Sequence, residues 1–302
     1  MKKALIKILS WLVLAPALLL SLLPLRVHHW FASFLAWLMC SVFHYRYQVV
    51  CTNISRAFPG MGYKEIGKVV KDYYLYIADV LCETIWGMTR SYKRIYKKGV
   101  FRIENPDVLD DAACNHNQVV LLLSHTGNWE LARGIHYFHD TEPSFSDDQF
   151  VVAYHPMSSP LSEELFHTIR LLHHSAKENL VPSNKMLRFV IEKRDAKLIY
   201  VFISDQYPSK HAVFANTFMG LPTTWVNGGE AIARKLGAPV VNIYVEREAR
   251  GRYVIHEKLI CEDASQTPPG QVMEQYSAIL EEAIKERKEN WLWSHKRWKN
   301  IW

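Results

Sequence analysis

Acidic residues are missing from the start of the chain: the first is Glu65, whereas Lys2, Lys3, Lys7, Arg26, Arg46, Arg56 and Lys64 already place seven positive charges there. Subtracting those seven from the net charge of +6 over 302 residues leaves the remainder at −1. The cations thus sit beside the most apolar segment instead of forming a stripe on a folded face, a pattern that argues against nucleic acid as a partner and for an anionic membrane surface. Cysteine is sparse, and Cys40, Cys51, Cys82, Cys114 and Cys261 make an odd number with no C-x-x-C spacing. Neither a disulfide framework nor a zinc site is indicated, and the thiols read as buried in a reducing compartment. No internal repeat, Gly/Ser linker or low-complexity tract appears, which makes one compact α/β body the simplest organisation. The G-x-S-x-G elbow of many serine hydrolases is absent as well.

What the chain does have is apolar length at its start. Residues 4–25 are broken only by Lys7, Ser10, Pro16, Ser21 and Pro24, about the length of a bilayer-spanning helix, and a shorter apolar stretch covers residues 30–43. A cleaved signal peptide is the competing reading, with Lys2 and Lys3 as its basic start, yet no small-x-small cleavage site follows. The expectation is a retained membrane-anchoring helical region over residues 1–45, with a transmembrane helix, joined to a body over residues 46–302. A hairpin, or one span plus an interfacial helix, would each fit. The cysteine pattern agrees with a catalytic body on the cytoplasmic face.

Apolar spacing at Ile66, Val69, Val70, Tyr73, Tyr74, Ile77, Leu81 and Ile85 predicts a helix over residues 64–88. Beyond it, strands are predicted at 100–103, 119–123, 150–154, 198–203, 239–245 and 252–260. Helices are predicted from 106 and at 128–139, 162–173, 184–193, 227–236 and 271–288. Strands alternating with helices give an α/β fold with a mixed, mostly parallel sheet covered by helices.

Chemistry concentrates in Ser124-His125-Thr126-Gly127-Asn128-Trp129-Glu130, directly after the apolar strand at 119–123. Strand carboxyl ends are where α/β folds build sites, and a histidine with a carboxylate is the base half of a hydrolytic triad. No nearby residue is an obvious nucleophile, so the hydroxyl is left to the substrate. The bland reading is a strand-end histidine followed by an Asn128 N-cap and a first-turn glutamate. Further clusters close other elements: Tyr154-His155-Pro156, Ser204-Asp205-Gln206, the turn-rich apolar loop Phe218-Met219-Gly220-Leu221-Pro222-Thr223-Thr224, and Trp291-Leu292-Trp293-Ser294-His295-Lys296-Arg297-Trp298-Lys299.

Together with Asn53-Ile54-Ser55-Arg56-Ala57-Phe58-Pro59, these clusters resemble, in order, the lauroyl/myristoyl acyltransferases of lipid A biosynthesis, within the lysophospholipid-acyltransferase-like superfamily. The resemblance implies an O-acyltransferase of the bacterial inner membrane, its catalytic body on the cytoplasmic face, that moves a fatty acyl group from acyl carrier protein, or coenzyme A, to a hydroxyl of a lipid A precursor or related glycolipid, without metal or cofactor. By similarity, His125 and Glu130 are the catalytic pair of the family's His-x4-Asp/Glu motif, His125 as general base and Glu130 as its support. Backbone N–H groups at 127–129 are candidates for the oxyanion or a phosphate. Asn128, Arg133, His155, Arg170, Asp205, Gln206 and Gly220 are the expected substrate-binding residues. Arg133 reads equally as an i,i+3 partner of Glu130, Arg170 as a solvated helix residue, Asp205 as a turn former, and Gly220 as a positive-φ turn or the floor of an acyl tunnel. His155 departs from the family, which commonly has arginine there. The Trp-rich tail suits either a membrane interface or a tryptophan-packed helix. Another glycolipid, phospholipid or aminolipid acceptor, or a lipid hydrolase, are the alternatives.

Overall fold

Among the described residues nine strands follow one another: β1 (Phe101–Glu104), β2 (Gln118–Leu123), β3 (Phe150–Tyr154), β4 (Leu180–Pro182), β5 (Leu198–Ile203), β6 (Phe214–Phe218), β7 (Leu221–Trp225), β8 (Val240–Ala249) and β9 (Arg252–Cys261). Between and around them lie α1 (Lys2–Ser21), α2 (Leu25–Trp37), α3 (Tyr47–Ala57), α4 (Tyr63–Gly87), α5 (Tyr92–Lys97), α6 (Asp107–Asn115), α7 (Pro160–Leu171), α8 (Met186–Glu192), α9 (Gly228–Leu236) and α10 (Gln271–Glu286). These come from a computed structural model that describes residues 2–157, 159–171, 179–207 and 214–299.

Among the described residues seven strands form one sheet in the order β1-β9-β8-β2-β5-β3-β4, and the only antiparallel pair in it is β8 with β9. The mixed, mostly parallel sheet read from the sequence is therefore present. Its central strands bury both faces, as parallel strands under helices must. Val120 and Leu122 join Phe202, Val240 and Trp225 on one side, while Val119 and Leu121 join Ile199, Val241 and Ile255 on the other. This alternation fixes the register, because a one-residue slip would exchange the two cores.

The expected transmembrane anchor is corrected. Among the described residues no helix is long and apolar enough to cross a membrane, which overturns the spanning segment and the inner-membrane placement built on it. The physical reason is visible in the packing. Ser10, Leu14 and Ser21 of α1, and His28, Ala32 and Ala36 of α2, are buried on one side of each helix. Ser21 Oγ donates to Thr89 Oγ1 at 2.8 Å, and the Arg90 guanidinium donates to the carbonyls of Ser21, the last residue of α1, and of Leu23 just beyond it. Both helices thus lay one face on the protein, α2 chiefly along α4.

Three further differences have local causes. The helix expected at 128–139 is a tight 3-10 segment, Leu131–Phe138, kinked at Gly134, where a Cβ would come within 2.2 Å of the Tyr92 ring. The turn-rich loop at 218–224 is the end of a β6–β7 hairpin whose two central residues, Met219 (φ 52°) and Gly220 (φ 74°), are both left-handed, the geometry that matches strand twist. The sequence also hides β4, a three-residue edge strand.

Candidate active site

Strand register builds the centre of the site. β2 and β5 are parallel neighbours with Leu123 opposite Ile203, so the residues two beyond each strand end, His125 and Asp205, emerge side by side. Asp205 is only 2% exposed and grips the histidine twice. The His125 backbone N–H donates to Asp205 Oδ2 at 2.8 Å, and ring Nδ1 lies 2.6 Å from Oδ1. The Trp291 indole N–H adds a third bond to Oδ2 at 2.8 Å. Burial by itself pushes the Asp205 carboxyl upward, but the adjacent His125 and these hydrogen bonds outweigh it and hold the group below the usual carboxylate range. An ionised Asp205 makes Nδ1 the protonated nitrogen and leaves the Nε2 lone pair facing outward. The Gln206 amide nitrogen stands 3.2 Å from Nε2, and the Trp129 indole meets the imidazole edge-on at 5.2 Å between centroids.

The loop carrying His125 is held rigidly. Gly127 is left-handed at φ 52°, and a Cβ there would lie 2.6 Å from the Val245 carbonyl oxygen, so glycine is required. Its N–H donates to Asn290 Oδ1 at 3.1 Å and so is already committed, which removes it from the expected oxyanion donors. Thr126 Oγ1 accepts from Val245 N–H at 3.0 Å. Asn128 is fully buried, capping Leu131 N–H at 3.1 Å and donating to Glu83 Oε2 at 2.9 Å, so both ends of its amide serve the loop.

Nε2 faces a cavity of about 330 Å³. Glu130, Arg133, Tyr154, His155 and Gln206 supply its polar wall, and Leu123, Trp129, Val152, Val201 and Ile203 its apolar one. The structure therefore gathers His125, Glu130, Arg133, His155 and Gln206 at one cavity, with Asp205 behind the histidine. Asn128 and Gly220 are not among the residues lining it; Gly220 is at the exposed tip of the β6–β7 hairpin. Arg170 belongs to α7, but its side chain lies outside the described residues. A second histidine–carboxylate pair, His29 with Glu83 at 3.0 Å, joins α2 to α4. Neither residue lines this cavity, and Glu83 also accepts from Tyr253 and Asn128, so this pair is a strut beneath the loop.

The Trp-rich tail is not a surface belt. Trp291, Trp293 and Trp298 are buried, with indole N–H groups satisfied by Asp205, the Lys288 carbonyl and Thr223. Asn53 of α3 ties the tail down, donating to the Trp293 and His295 carbonyls at 2.8 and 2.9 Å. Burial pushes the His295 imidazole down to about 4. Packing explains these indoles, and it gives Trp291 a role that nothing in its local sequence announces.

The motifs that sequence reading strung along the chain thus converge in space, from α3 to the tail. The family model described as bacterial lipid A biosynthesis acyltransferase matches residues 2–300. The chain belongs to this family. It is a lipid A-type O-acyltransferase, moving an acyl group from a donor to a lipid acceptor. No curated protein matches the chain. Within the lipid A biosynthesis acyltransferases, the match includes both the N-terminal helices and the tryptophan-packed tail.

Proposed function

We propose that His125 Nε2 is the general base that activates a hydroxyl of a lipid A precursor toward a fatty acyl thioester of acyl carrier protein or coenzyme A. The observation that supports this reading is the doubly bonded His125–Asp205 pair at the mouth of a partly apolar cavity. An alcohol is a poor nucleophile near neutral pH, so the acceptor hydroxyl displaces Gln206 from Nε2 and passes its proton to the ring as oxygen bonds to the thioester carbonyl carbon. The C–S bond then breaks, and the departing sulfur takes that proton from Nε2, leaving ester and thiol. Asp205 fixes the tautomer and balances the transient imidazolium. Glu130, on the same cavity wall, adds a second negative charge toward that cation. Arg133 offers a positive group and His155 a ring N–H to an acidic headgroup, and the Val152–Val201 wall takes the acyl chain.

The chemistry is assigned to residues 46–302. Residues 1–45 carry exposed Trp11, Leu12, Leu19, Trp30, Phe31, Phe34 and Trp37, a face suited to lying on a lipid surface without crossing it. Mass spectrometry of lipid A from cells with and without the gene tests the reaction: an acyl mass present only with the gene supports it, and identical spectra refute the lipid A acceptor.

A further inference from the structure

A second cavity, of about 480 Å³, opens beside the first. They share no lining residue but are neighbours along the chain, since Gln206 lines the first and Tyr207 the second. The tail links them as well: Trp298 lines the second cavity, and its ring lies 6.0 Å from that of Trp291, which bonds to Asp205 behind His125. The second cavity is lined by Arg297 with Tyr207, Thr217 and Thr224, and no carboxylate is among its lining residues within the described part of the chain; Asn216 and Thr223 also line it, but their side chains are already bonded to Ser277, Trp225, Trp298 and the Leu221 carbonyl.

Arg297 is the unexplained group. It is 1% exposed, yet only Nη2 has an acceptor, the Thr224 carbonyl at 2.6 Å, while Nε and Nη1 have none among the described residues. The Trp225 ring beneath it, 4.5 Å from the guanidinium carbon, supplies a cation–π contact but accepts no conventional hydrogen bond. Buried charges are normally paired, because desolvation is too costly otherwise. Burial pushes the guanidinium down to about 10, so it remains a cation at neutral pH. Lys299 adds a second positive charge nearby, its Nζ 4.2 Å from the centre of the Tyr207 ring.

We propose that this second cavity binds a phosphate group of one of the two substrates, with Arg297 as its buried anchor and Lys299 near its rim. Phosphate fits better than carboxylate: its tetrahedral oxygens can meet the Thr217 and Thr224 hydroxyls as well as the guanidinium, and its charge, single in a diester and up to double in a monoester, faces two cations. This assignment rests on the acyl-transfer reading for the identity of the carrier, which is either the phosphopantetheine arm of the thioester donor or a phosphate on the acceptor lipid.

Thr217→Glu and Arg297→Lys test it in the full-length enzyme. Thr217 is exposed on β6, so T217E places a carboxylate at the cavity wall without disturbing the core, and it decides the outcome if R297K fails to fold. The first readout is thermal stabilisation by inorganic phosphate over chloride at matched ionic strength. The wild type should gain stability with phosphate, and T217E should lose that gain. The second readout is steady-state kinetics, in which one KM should rise about tenfold or more with kcat little changed, because the contact is made before and during the reaction. A raised donor KM assigns the phosphate to the thioester arm, and a raised acceptor KM assigns it to the lipid. Equal phosphate stabilisation in wild type and T217E, together with unchanged KM values, overturns the site while leaving the acyl-transfer reading intact. Loss of phosphate stabilisation in T217E, with a wild type that itself transfers no acyl group, would support the site and refute the reaction instead.

Discussion

Asp205→Asn is the most informative single substitution at the proposed base. The side chain keeps its shape, but Oδ2 accepts from two N–H groups, the His125 backbone and the Trp291 indole, at 2.8 Å each. The amide must therefore keep its oxygen at that corner and turn its NH2 toward His125 Nδ1, which Oδ1 approaches at 2.6 Å in the wild type. An NH2 donor there requires Nδ1 to accept, so the imidazole proton moves to Nε2 and the base is blocked. In hydrolytic triads a wrong tautomer of this kind lowers kcat by ~10⁴. A loss of roughly 10³ to 10⁴ with little change in KM is expected here. Stability should fall by only about 1–3 kcal/mol, since charge-assisted bonds become neutral ones and none of the donors at Oδ2 is orphaned. Single-turnover acyl transfer gives the rate, and ¹⁵N NMR of the histidine ring gives the tautomer. A folded D205N enzyme working within a few fold of wild type would refute the tautomer argument. Glu130→Gln should be the milder of the two, because Glu130 acts through charge alone.

Gly127→Ala combines a left-handed φ with a Cβ 2.6 Å from the Val245 carbonyl oxygen, so it should cost about 2–4 kcal/mol and lower kcat by displacing His125; unchanged melting and unchanged kcat would show that the loop yields easily. Glu257 is buried on β9 with Oε1 lacking a partner among the described residues, and burial pushes its carboxyl up to about 8. An unfolded glutamate titrates near ~4.3, so this group favours the folded state most at low pH, and the advantage is lost as pH rises to about 8. Glu257→Gln should flatten the decline of Tm across that window, and parallel Tm curves would contradict it.

The sheet was legible because its strands are apolar runs bounded by turns, and the positions of β2, β3 and β5 followed from composition alone. The site was legible in part for the same reason: His125 closes β2 and Asp205 closes β5, so strand ends marked both. What sequence could not reveal is strand adjacency, which makes Asp205, 80 positions away, the group at Nδ1, or the reach of Trp291 across 86 positions to Asp205. The β6–β7 hairpin was hidden because Pro222 and paired threonines read as loop, although Met219 and Gly220 form its turn. The N-terminal helices misled for an opposite reason: their apolar length suggested a span, whereas each packs one face on the protein.

The central claim is that His125 takes the proton of the acceptor hydroxyl, and transfer of a labelled acyl group from its thioester to the lipid acceptor by purified His125→Ala tests it most directly. The side chain is 14% exposed and not part of the hydrophobic core, so the variant should fold and bind both substrates. Its turnover should fall by at least ~10²- to 10⁴-fold, the usual worth of a general base. Turnover at the wild-type level in folded H125A would contradict the account.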